Sequence, residues 1–363
     1  MTLVENILDA ARWAPSGDNM QTWRFDLDND GHFLVHAYDT RDWCVYDLDG
    51  RASQIAFGAL LETIAIVATE FKLKALASRR NDSPESKPVF DIHLTEDESM
   101  QPSALLPFIK TRCTQRRMMK TTPLSAEDKS ALETALGANH AVKWIEGWRG
   151  RWAAAKLMFK NAKIRLTMPE AYRVHSVIIE KNARFSVDKI PDGAVGLDPI
   201  AMRLMHWAME SWSRVDFLNR YLAGTLLPRI ELDLLPGLFC ASHFVIFSRL
   251  ADRGIDAQIE SGRAVQRFWL TAAQRGLQFQ PEMTPLIFAT YIREGISFTK
   301  EKTIENETRT LARTFESLAG ENVARAVFMG RLGSGQAPQS RSLRLAVKDL
   351  IIPAKTGVEQ IVD

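Results

Sequence analysis

Ala14-Pro15-Ser16-Gly17-Asp18-Asn19-Met20-Gln21-Thr22-Trp23 is the stretch on which the reading of the fold turns. Before it, Val4, Ile7, Leu8 and Ala11 recur at helical spacing, the mark of a short amphipathic helix. After it, Trp23, Phe25 and Leu27 alternate with polar residues, as in a half-buried strand. Between them lie Pro, Ser, Gly, Asp and Asn, which end helices and leave backbone N–H groups and short polar side chains free. Such a junction is either a plain turn or a seat for a polar heterocycle. These residues alone leave both open.

Outward from this loop, residues 22–39 read as a β-hairpin around Asp28-Asn29-Asp30-Gly31. Asp26, Asp28, Asp30 and Gly31 also match the first positions of a calcium-binding loop, but its twelfth position, normally Glu, is Ala37. Calcium is therefore not expected, and no metal site is predicted. A helix follows from about Arg51 to Phe71, apolar over so much of its girth that it must be central. Residues 78–88 form a polar loop and 89–94 a strand. A second part begins near Pro107. It holds a helix capped by Ser125, a strand at 142–146, and a mostly helical stretch from Trp148 to Leu235 rich in Trp, Met and Phe. That aromatic stripe reads as packing, or as a lid lining a pocket. A strand at 240–250, a helix at about 256–275 ended by Gly276, a charged helix at about 301–318 and a strand at 324–333 complete the pattern.

Two helices match without a gap: Gly58–Ala68 aligns with Gly262–Ala272 at an offset of 204, and Gln54 falls on Gln258. Two central helices of one kind, each near a strand, predict two related α+β halves, doing in one chain what a symmetric homodimer does with two.

The 363 residues are 46% apolar and 25% charged, as in ordinary globular proteins. Lys and Arg number 46 against 44 acids, a net charge of +2 that offers no stripe for nucleic acid. Cys44, Cys113 and Cys240 lie far apart, without metal-ligand spacing, which fits a reducing cytoplasm. The acidic N-terminus is not a secretory signal, and no uninterrupted apolar run of about 18 residues predicts a membrane span.

Thr111-Arg112-Cys113-Thr114-Gln115-Arg116-Arg117 gathers three guanidiniums and two hydroxyls ahead of a helix. Guanidinium forks pair bidentately with phosphate oxygens, so this segment is either a phosphate seat or a solvated basic loop. Residues 11–25, ARWAPSGDNMQTWRF, resemble the PSxxNxQPW loop of the FMN-dependent nitroreductase family, with Thr22 in place of Pro. TRCTQRR resembles that family's Arg-x-Ser/Thr-x-Arg/Lys motif, residues 262–281 its central helix and exit, and PQSRS at 338–342 its C-terminal basic clip. The order of motifs resembles a single-chain, fused-dimer branch of NAD(P)H nitroreductases.

The resemblance implies an α+β fold with a first half at 1–106 and a second at 107–363, the latter carrying a helical lid at about 148–235. It implies that Arg112, Thr114 and Arg116 hold an FMN phosphate, aided by Arg341. Pro15, Ser16 and Asn19 would then lie against the flavin from the other half, and Pro281, Met283 and Thr284 would offer a backbone N–H near its N5. Met283-Thr284 stand where the family often has Glu-Gly, and Gln339 where it has Lys. The implied activity takes hydride from NAD(P)H and passes electrons to a nitroaromatic, quinone or pathway-specific small molecule. The alternatives are an FMN-sequestering protein with an occluding lid, or a flavin enzyme of biosynthesis. The assembly would be a monomeric pseudo-dimer or a homodimer. No general base is named, because Asp18 reads as a solvated turn residue.

Overall fold

The computed structural model describes residues 1–29, 31–221 and 224–353; Asp30 of the hairpin turn lies outside them. Helix α1 (Leu3–Ala11) starts at a capping box in which Thr2 and Glu5 satisfy each other's backbone N–H groups, and it buries Val4, Ile7, Leu8 and Ala11. Strands β1 (Trp23–Asn29) and β2 (His32–Ala37) pair antiparallel, with Phe25 opposite Val35 and Leu27 opposite Phe33. Helix α2 (Arg51–Ala68) is buried on almost every side. Its start is fixed by the buried Asp47 carboxylate, which accepts from Ser53 N at 3.0 Å and Ser53 Oγ at 2.6 Å. Strands β3 (Leu73–Arg79) and β4 (Val89–Glu96) complete a four-stranded antiparallel sheet in the order β1-β2-β4-β3.

The second sheet is reached through α3 (Ala126–Leu136), capped by Ser125, and β5 (His140–Ile145). An insertion of helices α4 (Gly147–Thr167) and α5 (Pro169–Ile178) follows, with three two-residue strands, β6 (Ile179–Glu180), β7 (Phe185–Ser186) and β8 (Ile190–Pro191). It continues through α6 (Pro199–Ala208), α7 (Trp212–Tyr221), α8 (Leu226–Arg229) and α9 (Leu235–Leu238). Next come β9 (Ser242–Ser248), α10 (Ile255–Gln274), β10 (Leu277–Pro281), α11 (Thr284–Glu294), α12 (Lys302–Ala319) and β11 (Ala326–Ser334). The tail adds β12 (Arg341–Ser342) and α13 (Val347–Leu350).

Taken from its β5 edge, the second sheet runs β5-β9-β11-β10, all antiparallel. The chain thus lays down helix, two strands, helix and two strands twice, and orders each sheet first-second-fourth-third. α1 packs on α2 as α3 packs on α10. The two central helices pack on each other, with Gln266 Nε2 donating to Thr63 Oγ1 at 2.9 Å and Arg267 3.0 Å from Glu62. The tail crosses back to the first sheet, where Ile352 N donates to Phe25 O at 2.7 Å and Leu350 joins the core around Trp23 and Phe25.

Several sequence expectations change. Residues 73–79 are a strand that no glycine announces, because α2 and its final turn end on Lys72 in the left-handed region at φ 55°. Residues 286–292, between the helix at 256–275 and the charged helix, add a helix that the sequence pattern did not announce, α11, whose buried girth leaves no periodicity. By length and composition, Arg51–Phe71 is apolar enough to cross a membrane, but 78% of its window is buried in the protein. The aromatic stripe of 148–235 is only partly packing: Trp148, Trp152, Trp207, Phe217 and Tyr221 are exposed.

Candidate functional site

The loop after α1 is held in a costly conformation. Asp18, Asn19 and Gln21 have φ of 50°, 64° and 47°, left-handed values worth about 1–3 kcal/mol each for non-glycine residues. Surrounding hydrogen bonds maintain them. Ser16 Oγ accepts from Gln21 N at 3.1 Å, and Gln21 Oε1 accepts from Leu345 N at 3.0 Å. Asn19 Oδ1 accepts from Arg344 Nη1 at 2.8 Å. Pro15, half-buried, leads into this turn.

The arginine segment reaches the same loop from the other sheet. Thr114 forms a parallel bridge with Phe279 of β10, and Gln115 N donates to Phe279 O at 2.9 Å. Those bonds place Arg112 under the loop: its guanidinium stacks 4.3 Å from the Trp269 ring and its Nη2 donates to Trp13 O at 3.1 Å. Arg341 lies beside it, donating to Arg112 O at 3.2 Å, 5.3 Å from the Trp13 ring. Arg344 donates to Ala14 O at 3.1 Å.

Among the described residues, none of these three guanidiniums has a carboxylate within ion-pair distance, and Nε of Arg112 and of Arg341 has no hydrogen-bond partner. Burial, then the neighbouring Arg341, lowers Arg112 to about 10; burial followed by Arg112 and Arg341 takes Arg344 well below its ordinary value. Buried charges are normally paired. Three adjacent cations without an anion among the described residues form a site that favours a doubly charged oxyanion. Cys113, between them, has its thiol pushed up by burial, which outweighs both arginines, so the segment does not generate a thiolate.

Arg116 stands apart from that group. Its Nη1 donates to Ala194 O at 3.3 Å, and its charged neighbours are Asp18 and Arg331. Arg331 donates to Arg116 O at 2.8 Å and lies 3.2 Å from Glu282, which in turn is 2.7 Å from His243 Nδ1. Burial alone would lower His243, but the Glu282 carboxylate outweighs it and the imidazole is raised to about 10. Pro281 ends β10 opposite Gly330, Met283 precedes α11, and Thr284 Oγ1 accepts from Asn161 Nδ2 at 2.6 Å.

The fold therefore brings Arg112, Arg341 and the loop of Pro15, Ser16 and Asn19 together, while the Arg116 side chain turns to Ala194 of the insertion. Asp18 is a correction. It is half-buried, not a solvated turn residue, and desolvation raises it to about 6 against the pull of Arg116. Arg344, Trp13, Trp269 and the Glu282–His243 pair were missed. Only Arg344 carried a signal, lying one short step beyond Arg341 in a tail already read as basic.

The insertion closes over this region. Gln21 Nε2 donates to Val187 O at 2.8 Å, Asn19 Nδ2 to Lys189 O at 3.1 Å, and Arg341 N to Arg184 O at 3.0 Å as β12 pairs with β7. A cavity elsewhere, between the starts of α2 and α10 beside Arg51, Gln258 and Thr290, measures about 50 Å³. Ligand pockets span about 300–1,000 Å³, so that cavity is too small to be the site.

No family model matches the chain, and no curated protein matches it. Three solved structures are similar to it. A nitroreductase-like family protein from Bacillus cereus is 12% identical with a TM-score of 0.36, over 70% of this chain and 97% of that one. A nitroreductase with bound FMN from Bacteroides fragilis NCTC 9343 is 12% identical with a TM-score of 0.30, over 72% and 100%. The FMN-dependent nitroreductase NfnB from Mycobacterium smegmatis, in complex with NADPH, is 13% identical with a TM-score of 0.31, over 68% and 91%.

Proposed function

We propose that the chain is an FMN-dependent oxidoreductase in which two related halves, 1–106 and 107–363, share one flavin site under a lid at about 148–235. The observation that carries this reading is the trio Arg112, Arg341 and Arg344, buried or half-buried together with no carboxylate of the described residues beside them. A phosphate monoester supplies the missing charge, and the free Nε groups of Arg112 and Arg341 are donors for its oxygens.

FMN, when bound, supplies the hydride and electron chemistry, with NAD(P)H as reductant and a small conjugated molecule as acceptor. The chain's own residues bind, orient and exclude water. Arg112 and Arg341 hold the phosphate. Arg344, through Asn19, sets the loop of Pro15 and Ser16 against the ring system. Arg116 puts a cation near Asp18 and the insertion, and Met283 and Thr284 offer backbone N–H groups to the flavin. Asp18 holds or releases a proton near neutral pH beside that cation.

A second reading, a flavin-sequestering protein, is favoured by one specific observation. Gln21, Asn19 and Arg116 spend side-chain donors on lid carbonyls. Anaerobic addition of NADPH to the FMN-loaded protein separates the two. Rapid bleaching of the flavin band supports the oxidoreductase; a flavin that stays yellow supports sequestration. A protein that takes up no FMN contradicts both.

A further inference from the structure

The outer face of the first sheet carries a group of residues that the flavin site does not use. In β2 and β4 the core takes Phe33, Val35, Phe90, Ile92 and Leu94. Their neighbours in the alternation, His32, Asp91 and His93, stand on the opposite face. The strand register sets His32 directly across from His93, with Asp91 two residues along β4. The two imidazole rings stack with centroids 4.5 Å apart, and His32 Nε2 lies 3.2 Å from Asp91 Oδ1. One ligand atom from each of the three residues lies within 4.8 Å of the other two.

Two of the three are already oriented by a further residue. His32 Nδ1 lies 3.1 Å from Asp28 Oδ2, so a proton on Nδ1 leaves the Nε2 lone pair aimed at Asp91. A carboxylate behind an imidazole is how metal-binding histidines are commonly held in one tautomer. Arg80 grips Asp91 with two donors, Nε to Oδ2 and Nη2 to Oδ1, both at 2.8 Å. Each carboxylate oxygen keeps a further lone pair. A neutral imidazole has a single N–H, and this one lies between two carboxylates. One carboxylate therefore faces a bare lone pair unless a cation, a proton or a metal ion, stands between them. Two imidazole nitrogens and one carboxylate oxygen suit a late first-row divalent ion, whereas Ca2+ and Mg2+ take oxygen ligands. Tetrahedral zinc needs ligand atoms about 3.3 Å apart, and His93, exposed on its strand, has room to turn inward.

We propose that His32, Asp91 and His93 bind one late first-row divalent ion, with Zn2+ as its probe, and that the ion ties β2 to β4. Three protein ligands leave at least one position for water. His32 and Asp91 are 59 residues apart and only the strand register brings them together, so the sequence shows no metal-ligand spacing.

The test titrates ZnCl2 into the full chain, free of any tag and stripped with a chelator, by calorimetry. One ion per chain is expected, with a rise in the melting temperature when it binds. His32→Ala and His93→Ala should each weaken binding at least about tenfold, since removing even a supporting partner of a metal ligand does so. His36→Ala, on the same strand and face but four residues along, should bind as the native chain does. An excess of Ca2+ should not compete. Circular dichroism checks that each variant is folded. The proposal is overturned if the native chain shows no saturable Zn2+ binding, or if His32→Ala and His93→Ala bind as it does. It is equally overturned if several ions bind per chain and His36→Ala loses as much as His93→Ala, the behaviour of a surface that merely carries histidines.

Discussion

Gly58 and Gly262 mark where the two central helices touch, and each meets the counterpart of the other's neighbour. A Cβ on Gly58 would lie 1.9 Å from Ile259 O, and one on Gly262 would lie 2.2 Å from Ile55 O. Both glycine and isoleucine pairs are separated by the same 204 positions. The reciprocity is that of an isologous contact, here made within one chain.

Replacing Gly58 or Gly262 by Ala must push the two backbones apart. Overpacking costs about 1–3 kcal/mol, and an approach this close to backbone puts both sites at the upper end, read as a shift in the urea midpoint. Gly17→Ala, where an added methyl has open space, serves as the control and should change stability by no more than about 0.5 kcal/mol. Equal effects at Gly58 and Gly17 contradict the crossing.

The Glu282–His243–Arg331 group gives a second prediction. Glu282→Gln leaves two buried cations without their carboxylate, a loss of about 3–5 kcal/mol. The pH dependence has a definite sign. His243 is raised in the folded protein to about 10, from about 6.5 unfolded, so its stabilisation is full below about pH 6.5 and disappears as pH rises through 10. The native melting temperature should therefore fall between pH 7 and 10 more steeply than that of His243→Gln. Parallel profiles contradict the pairing.

Asp18 runs the same way for a different reason. Desolvation holds its carboxyl at about 6, so the folded state prefers the protonated form. The stability it contributes is complete below about pH 3.9 and lost as pH rises through 6. Asp18→Asn keeps a residue that tolerates the left-handed backbone. In flavin-free protein it should raise the melting temperature at pH 8 and leave it unchanged at pH 4. Destabilisation at pH 8 would mean that the carboxylate is held by a partner.

Much of this architecture was legible because local rules and burial agree. Val4, Ile7, Leu8 and Ala11 are the buried face of α1, and the repeat anchored on Gly58 and Gly262 is the helix crossing itself. The arginine segment was legible as a cluster of one charge sign. What stayed hidden depends on distant partners. Nothing near Glu282 announces His243, 39 residues away, and nothing near Asp18 announces the burial that raises its carboxyl. Spacing could not separate Arg116 from Arg112 either. Only their distant partners do: Arg112 meets Trp13 and Trp269, and Arg116 meets Ala194.

Whether Arg112 and Arg341 hold a phosphate is decided by titration calorimetry of FMN against riboflavin. Each charge-assisted contact is worth about 1.5–3 kcal/mol. The native chain should therefore bind FMN at least about 100-fold more tightly than riboflavin, and R112A/R341A should bind the two alike while remaining folded. A native chain that does not distinguish FMN from riboflavin, or a double variant that keeps the full preference, would rule out a phosphate held by these two arginines.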